Sequence, residues 1–209
     1  YIVIDKGEIV LQPLCTDDEQ YKIIRKKLKK DLERKRYVHT KGVAATAVCL
    51  AMAYGYDMKK AYLAGLLHDN AKSISTDEKK KLCKKYMIEL NPAEEKNPEL
   101  IHAKLGAYRA KDVYQIDDED ILSAIACHTT GKPKMNTLDK IIYIADYIEP
   151  GRRPLPMLDE IRAVAFQNLD KAMYLILKST LSYLNDKKSD IDQITRETYE
   201  YFQQLPDIQ

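Results

Sequence analysis

Apolar residues recur at intervals of three and four along most of the chain beyond residue 20, which is the spacing of one helical face. In one segment Val43, Ala47 and Leu50 share such a face, and His39 lies on it one turn before Val43. The same spacing predicts helices over residues 20–35, 37–54, 57–72, 76–87, 98–114, 117–128, 136–148, 158–184 and 190–204.

Cap and turn residues separate these segments. Asp57 is a predicted N-cap, Thr76 is another, and Asn97 is followed by a proline that suits a first helical position. The stretches "TTGKPK" and "EPGRRPLP" are predicted loops, and so is the segment 89–97.

Only residues 1–12 alternate polar and apolar positions as a strand does. We therefore expect one all-α domain over residues 20–209, a bundle of about seven to nine helices. Residues 1–19 form an N-terminal extension whose role the pattern leaves open. Because the chain begins with Tyr1 rather than Met, we expect it to be trimmed or to belong to a longer protein.

Composition narrows the classes of partner. The 209 residues include 34 basic and 32 acidic ones, and this near balance argues against nucleic acid or a membrane as the main partner. No apolar run approaches the roughly 20 residues that span a bilayer, and the first residues do not resemble a signal peptide. The four cysteines are widely separated, which favours reduced thiols. We therefore expect a cytoplasmic protein.

Each histidine of the chain lies within or at the end of a predicted helix, beside apolar residues; the four are His39, His68, His102 and His128. Asp69 in "LLHDNAK" and Asp146 in "IIYIADYIE" interrupt apolar segments in the same way. A buried carboxylate needs a cation, which Arg152 could also provide for Asp146. Imidazole and carboxylate together suit divalent iron, zinc or manganese, so the sequence predicts a metal site.

The arrangement of these residues favours two ions. Adjacent His68 and Asp69 diverge by about 100° on a helix, and the two oxygens of Asp69 can bridge two ions. The other ligands then fall into two sets: His39, His68 and Asp146 for one ion, and His102 and His128 for the other. Two ions about 3.5–4 Å apart can share one hydroxide that attacks phosphorus.

The order His39, His68-Asp69, Asp146 resembles the HD superfamily of metal-dependent phosphohydrolases, and the two further histidines resemble its dinuclear branch. The stretches "KRYVHTKGV", "LLHDNAK" and "CHTTGKPKMNTLDKIIYIADYIEPGRRP" together resemble the bacterial YqeK family of symmetrical diadenosine tetraphosphate hydrolases. The resemblance runs from about residue 20 to 200. Some such domains are fused to a nicotinate-nucleotide adenylyltransferase, so a longer parent chain is a hypothesis.

The resemblance implies the ligand set His39, His68, Asp69, His102, His128 and Asp146, with Asp69 bridging. It implies two divalent ions, with iron expected and Mn, Co or Mg as substitutes. The implied reaction splits diadenosine tetraphosphate into two ADP by attack of a metal-bridging hydroxide on phosphorus. The expected partners are a dinucleoside polyphosphate or an ADP- or GDP-like nucleotide, without nucleic acid or membrane, and a homodimer is a further expectation.

Cations near these ligands are candidates for phosphate contacts. Lys72 lies three residues after Asp69, and we expect it to touch the phosphate under attack if the helix continues that far. Arg152 follows Asp146 and suits a second phosphate, with Arg153 beside it. We take Asp69, Lys72 and Arg152 as the catalytic residues. Further candidate substrate contacts follow His128 directly: Thr129, Thr130, Gly131 and Lys132.

Three alternatives remain open at this stage. The ligand set also resembles dinuclear-iron oxygenases of the inositol oxygenase type, although the arginine-rich loop and the "HTTG" stretch favour phosphate. A phosphohydrolase acting on another nucleotide is the second, but the Glu-Asp pair of guanosine tetraphosphate hydrolases and the Gly-Tyr-Pro of cyclic-dinucleotide phosphodiesterases are absent. The third is a nucleotide-binding scaffold with a vestigial site.

Overall fold

The computed structural model describes residues 2–5, 8–11, 19–206 and 208. An antiparallel hairpin comes first, pairing β1 (Ile2–Asp5) with β2 (Glu8–Leu11). The helices that follow are α1 (Glu19–Asp31), α2 (Arg34–Ala53), α3 (Met58–Leu67), α4 (Thr76–Lys85), α5 (Pro92–Lys96), α6 (Ile101–Tyr114), α7 (Glu119–Cys127), α8 (Thr137–Ile148), α9 (Leu158–Ala165), α10 (Leu169–Asp186) and α11 (Gln193–Gln203). A 3₁₀ turn, Pro98–Leu100, leads into α6.

The prediction of an all-α helical bundle is confirmed, but the helix count was too low. The described residues contain eleven α-helices rather than seven to nine. The segment 89–97 is not entirely loop, because Asn91 accepts from the backbone N–H of Glu94 in a capping box that begins α5. The helix predicted over 158–184 is two helices, because Asn168 caps the start of α10 and interrupts the run after α9.

The core lies between α2, α3, α7, α8 and α10, which bury their apolar faces against one another. The predicted face of α2 is confirmed, since Val43, Ala47 and Leu50 are fully buried. In α8 the run Ile141, Ile142 is also fully buried, which fixes the rotation of that helix. Across the described ranges, no helix has the length and apolarity needed to cross a membrane.

Helix α3 ends five residues earlier than the sequence predicted. It stops at Leu67 instead of continuing to Lys72, and residues 68–73 form turns. The reason is that side chains occupy the carbonyls of its last turn: His68 donates from Nδ1 to the Gly65 carbonyl at 2.7 Å, and Asn70 donates to the Leu67 carbonyl at 2.7 Å. Because the chain turns here, the two consecutive side chains His68 and Asp69 both reach the centre of the bundle.

Candidate metal centre

Five helices and the turns after them bring the six predicted ligands to one place. His39 comes from α2, His102 from α6 and Asp146 from α8, while His68 with Asp69 and His128 follow the ends of α3 and α7. Most of these side chains are buried: His68, Asp69, His102 and His128 are each at most 3% exposed.

Each of the four histidines uses its Nδ1 atom for a hydrogen bond to an oxygen. Nδ1 of three of them donates to a backbone carbonyl three residues earlier in the chain; these pairs are His68–Gly65, His102–Glu99 and His128–Ile125. His39 donates instead to Oε1 of Glu149 at 3.1 Å. Because the acceptors are carbonyls or a carboxylate, the proton sits on Nδ1 and the lone pair sits on Nε2.

The four Nε2 atoms point at the two carboxylates. His39 Nε2 lies 2.9 Å from Asp146 Oδ1, and His68 Nε2 lies 3.3 Å from Asp69 Oδ2. The other oxygen of Asp69, Oδ1, lies 3.2 Å from His102 Nε2 and 3.7 Å from His128 Nε2. Asp69 therefore presents a different oxygen to each pair of histidines, which is the geometry of a bridging carboxylate.

This arrangement fits bound cations. Nε2 of His39 and Nε2 of His68 are buried without a hydrogen-bond partner, and His102 Nε2 faces His128 Nε2 at 3.1 Å. Lone pairs that face one another or face carboxylate oxygens repel unless a cation lies between them. Two sets of ligand atoms each lie within 4.8 Å of one another, namely His39, His68 and Asp146, and His68, Asp69 and His128. Their nitrogen and oxygen donors suit a divalent transition metal.

Burial and charge shift the pKa values of these groups in different directions. Burial alone would raise the pKa of Asp69, but in the metal-free protein the charge of His68 and close contacts with His102 and His128 outweigh it and hold that pKa well below its usual range. Burial would lower the pKa of His68, but Asp69 and then Asp146 raise it overall. The pKa of His102 falls to about 4, mainly because the ring is buried. Asp69 is therefore ionised and His102 neutral at physiological pH, as metal ligands must be.

A cavity of about 250 Å³ opens onto the ligands, and three of the predicted phosphate contacts line it: Lys72, Thr129 and Arg152. Arg152 donates to Asp146 Oδ1 at 3.0 Å, the ion pair considered from the sequence as an alternative to a metal. Lys72 pairs with Glu99 at 3.4 Å. The hydroxyl of Thr129 lies 3.2 Å from His128 Nε2. All three side chains thus combine a local partner with access to the cavity.

The other predicted phosphate contacts lie elsewhere. Lys132 pairs with buried Asp139 at 2.9 Å, and Thr130 donates to the carbonyl of Gly131. Gly131 itself serves packing, since its φ is +70° and a Cβ there would lie 2.7 Å from Thr198 Cγ2. Arg153 lines a neighbouring groove instead of the metal cavity. Thr130, Gly131 and Lys132 are not among the residues that line the metal cavity, and a phosphate contact at these positions stays a prediction.

Sequence reasoning missed two residues of the site. Arg36 donates to Asp69 Oδ2 at 2.7 Å and lines the cavity. Its position three residues before His39, on the same helical face, was a usable signal. Glu149 orients His39, and a Cβ at Gly42 would approach Glu149 Oε2 to 2.5 Å, so this carboxylate needs a glycine beside it. The spacing of Glu149 from Gly42, more than 100 residues away, gives no such signal.

Comparison with known proteins agrees with this geometry. A sequence model described as the HD domain matches residues 36–151, a range that includes all six predicted metal ligands. The chain belongs to the HD-domain family. Membership implies dependence on a divalent metal, consistent with the ligand sets described above.

Individual relatives are more specific. The chain is 42% identical to a Bacillus subtilis protein named symmetrical bis(5'-nucleosyl)-tetraphosphatase, over 83% of this chain and 92% of the relative. A Staphylococcus aureus protein with the same name is 38% identical, over 83% and 90%. A crystal structure of a predicted HD superfamily hydrolase involved in NAD metabolism, from Clostridium acetobutylicum, is 42% identical with a TM-score of 0.84, covering 87% of this chain and 96% of that one. The oxygenase alternative is not favoured by these relatives.

Proposed function

We propose that this protein is a metal-dependent hydrolase that cleaves diadenosine tetraphosphate at its central anhydride to give two ADP. The observation that carries the proposal is the convergence of four histidine Nε2 atoms on the carboxylates of Asp69 and Asp146, below a cavity lined by cations. The 42% identity to a symmetrical tetraphosphatase supports the choice of substrate.

The donor atoms would hold two divalent ions, and Asp69 would contribute to both because it presents a different oxygen to His68 and to His102. We propose iron as the native metal, with Mn, Co or Mg as substitutes. When bound, such ions polarise phosphate oxygens as Lewis acids and make water nucleophilic at neutral pH. Metal analysis of protein purified without added metal tests the identity: iron near two per chain supports it, and zinc alone contradicts it.

Side chains of the protein orient the metal ligands and place positive charge where the phosphates would bind. Hydrogen bonds from Nδ1 fix the rings of His68 and His128 so that each Nε2 is held toward the site. Lys72 and Arg152 place positive charge in the cavity, where equatorial phosphoryl oxygens gain charge during the displacement. Arg36 adds a third cation beside Asp69.

In the net reaction, the oxygen of water forms a bond to one of the two central phosphorus atoms. The bond from that phosphorus to the bridging oxygen breaks, and its electron pair leaves with the second ADP. The protons of water are shared between the products and solvent. We infer no protein base for this step, because the carboxylates nearest the cavity, Asp69 and Asp146, already face the ligand cluster.

The test is a product analysis in ¹⁸O-enriched water with metal-loaded protein. We expect ADP as the sole nucleotide, with one ¹⁸O on the terminal phosphate of half the molecules. AMP plus ATP would move the cleavage position, and no turnover of this substrate with iron, manganese or cobalt would overturn the proposal. Asp112→Asn, on the exposed face of α6, is the matched control for Asp69→Asn.

We also propose where the enzyme works and what it binds. Among the described residues Cys49, Cys83 and Cys127 are free thiols, which supports a reducing, cytoplasmic location. An ADP- or GDP-like nucleotide is the proposed product ligand, and a homodimer stays a prediction that sedimentation would test.

A further inference from the structure

A second cavity lies beside the metal cavity. It measures about 400 Å³ and is a groove between the loop after α8 and the C-terminal half of α10. The two cavities share Tyr147 and Thr180 in their walls, so they lie side by side. Tyr147 follows Asp146 directly and its hydroxyl lies 3.3 Å from Ser179 Oγ, so the groove begins next to a predicted metal ligand.

Two segments of the chain, the loop after α8 and helix α10, contribute residues to both cavities. In the loop after α8, Arg152 lines the metal cavity and the next residue, Arg153, lines the groove. On α10, Thr180 belongs to both, while Tyr183 lies three residues further along, about 4.5 Å down the helix axis, and lines the groove alone. A ligand that extends beyond the metal cavity along these residues would therefore reach the groove past Tyr147 and Thr180.

Apolar and aromatic side chains line the groove, and some of them are exposed to solvent. Tyr183 is 56% exposed and Met157 is 40% exposed, and Leu155 and Pro156 lie beside them. Met157 also has a φ of +59°, an uncommon backbone conformation for a side chain of this size. Backbone conformations of this kind cost energy and persist only where the surrounding structure holds them. They are found often at ligand sites.

The charges at the groove suit an anion with a flat apolar part. Arg153 and Lys178 line it, against a single carboxylate, Asp186. Its volume is within the range of roughly 300–1,000 Å³ that small-molecule sites occupy. A nucleoside with attached phosphates has this chemistry, because its base stacks on aromatic rings and its phosphates pair with cations.

We propose that the groove binds one nucleoside of the dinucleoside tetraphosphate, with its base against Tyr183, Met157 and Leu155. Arg153 and Lys178 then face the diphosphate between that nucleoside and the metal cavity, and Ser182 and Asp186 offer hydrogen-bond partners to the ribose. This inference rests on the proposed function, and it assigns Arg153 to the groove rather than to the phosphate under attack.

The experiment compares two substrates on the metal-loaded protein. Diadenosine tetraphosphate carries nucleosides, whereas inorganic tetraphosphate offers the same anhydrides without them. We expect Tyr183→Ala to raise KM for diadenosine tetraphosphate about tenfold and to leave hydrolysis of inorganic tetraphosphate unchanged. Tyr108→Ala is the matched control, because Tyr108 is also an exposed helical tyrosine, 46% exposed, but lies on α6 away from the groove.

The outcomes separate this inference from the proposed function. If the wild type does not cleave diadenosine tetraphosphate, the proposed function fails. If the wild type cleaves it and Tyr183→Ala matches the wild type, or slows both substrates equally, only the groove assignment fails. Conversion of a dimer into a monomer by Tyr183→Ala would show that a second copy of the chain covers the groove, and would also overturn the assignment.

A second measurement needs no turnover. Photolysis of metal-loaded protein with 8-azido-ADP, followed by peptide mapping, should label the segments 153–157 and 178–186. Excess ADP should suppress that label. Labelling confined to other segments would overturn the proposal, whether or not the protein hydrolyses the tetraphosphate.

Discussion

The metal cavity and the groove share two side chains but are built in different ways. In the cavity most of the predicted ligands are buried, and each histidine is fixed by a hydrogen bond from Nδ1. In the groove the main apolar side chains, Met157 and Tyr183, are 40% and 56% exposed. The reaction centre is therefore preorganised by burial, whereas the neighbouring surface supplies area for contact.

The difference has a physical origin. Holding a metal requires several donor atoms within a few tenths of an ångström of their positions, so each ligand needs a second partner that fixes its orientation. Stacking a base requires only a flat apolar surface, and every base offers one. Substitutions should therefore have large effects in the cavity and small ones in the groove.

The largest effect is expected at Asp69, the carboxylate that faces both pairs of histidines. Asp69→Asn removes the negative charge and one ligand oxygen, so metal content should fall and kcat/KM for diadenosine tetraphosphate should drop at least about 10³-fold. Metal analysis and turnover are measured together, with Asp112→Asn as control. Retention of both metal and activity would contradict the assignment of Asp69 as a metal ligand.

Acid should destabilise the metal-free protein through His102. Burial lowers the pKa of His102 to about 4, against 6.5 for an exposed ring, so between these values the unfolded chain binds the proton more readily. The free energy of unfolding should thus decrease as pH falls from 6.5 to 4, by roughly 3 kcal/mol from this group. Denaturant unfolding of the wild type and His102→Gln at pH 7 and pH 4 isolates it. Equal losses in both proteins would contradict the argument.

Lys72 tests whether the cavity carries a phosphate contact besides its metal ligands. Its ammonium lines the cavity 3.4 Å from Glu99. Lys72→Ala should lower kcat/KM by about 10²-fold while leaving metal content unchanged, because a charge-assisted hydrogen bond to phosphate is lost. Lys80→Ala, an exposed lysine of α4, is the control. Loss of metal in Lys72→Ala would reassign the residue to the support of the ligands.

Glu149 tests the hydrogen bonds that fix the ligands. Without its carboxylate, His39 loses the acceptor for Nδ1, and we expect Glu149→Ala to weaken metal affinity by roughly 10- to 100-fold. Glu149→Gln keeps an acceptor oxygen and should recover most of the affinity. Glu160→Ala, an exposed residue of α9, controls for loss of a negative charge. If Gln is as impaired as Ala, charge rather than orientation is what Glu149 provides.

The same difference explains what the sequence could predict. The predicted ligands stood out because His68, Asp69 and Asp146 are polar residues inside apolar runs, where a charge without a nearby cation is costly. The buried faces of the helices were also predictable from the spacing of their apolar residues. The long-range partners were not: Glu149 reaches His39 across 110 residues, and local pattern carries no record of that contact.

Element ends and exposed contacts were the other limit. The end of α3 at Leu67 depends on side chains that take its last carbonyls, and helical spacing does not report this. The predicted phosphate contacts Lys132 and Arg153 were placed near the metal ligands by their neighbours in sequence, which does not give the direction of their side chains. In the fold Lys132 turns to Asp139, and Arg153 turns to the groove. The direction of an exposed side chain depends on tertiary packing, which a short motif does not determine.

The smallest effect of a substitution is expected at Arg153, which lies at the boundary between the metal cavity and the groove. It is exposed and lies at the apolar groove, next in the chain to Arg152 of the cavity. An exposed ion pair contributes less than about 1 kcal/mol, so Arg153→Ala should raise KM for diadenosine tetraphosphate only about two- to fivefold. Because solvent ions screen such a contact, the difference from wild type should shrink as salt is raised. Arg196→Ala on α11 is the control. A loss in kcat as large as that of Lys72→Ala would place Arg153 at the reacting phosphate, and the division between a fixed centre and an open groove would then be wrong at this residue.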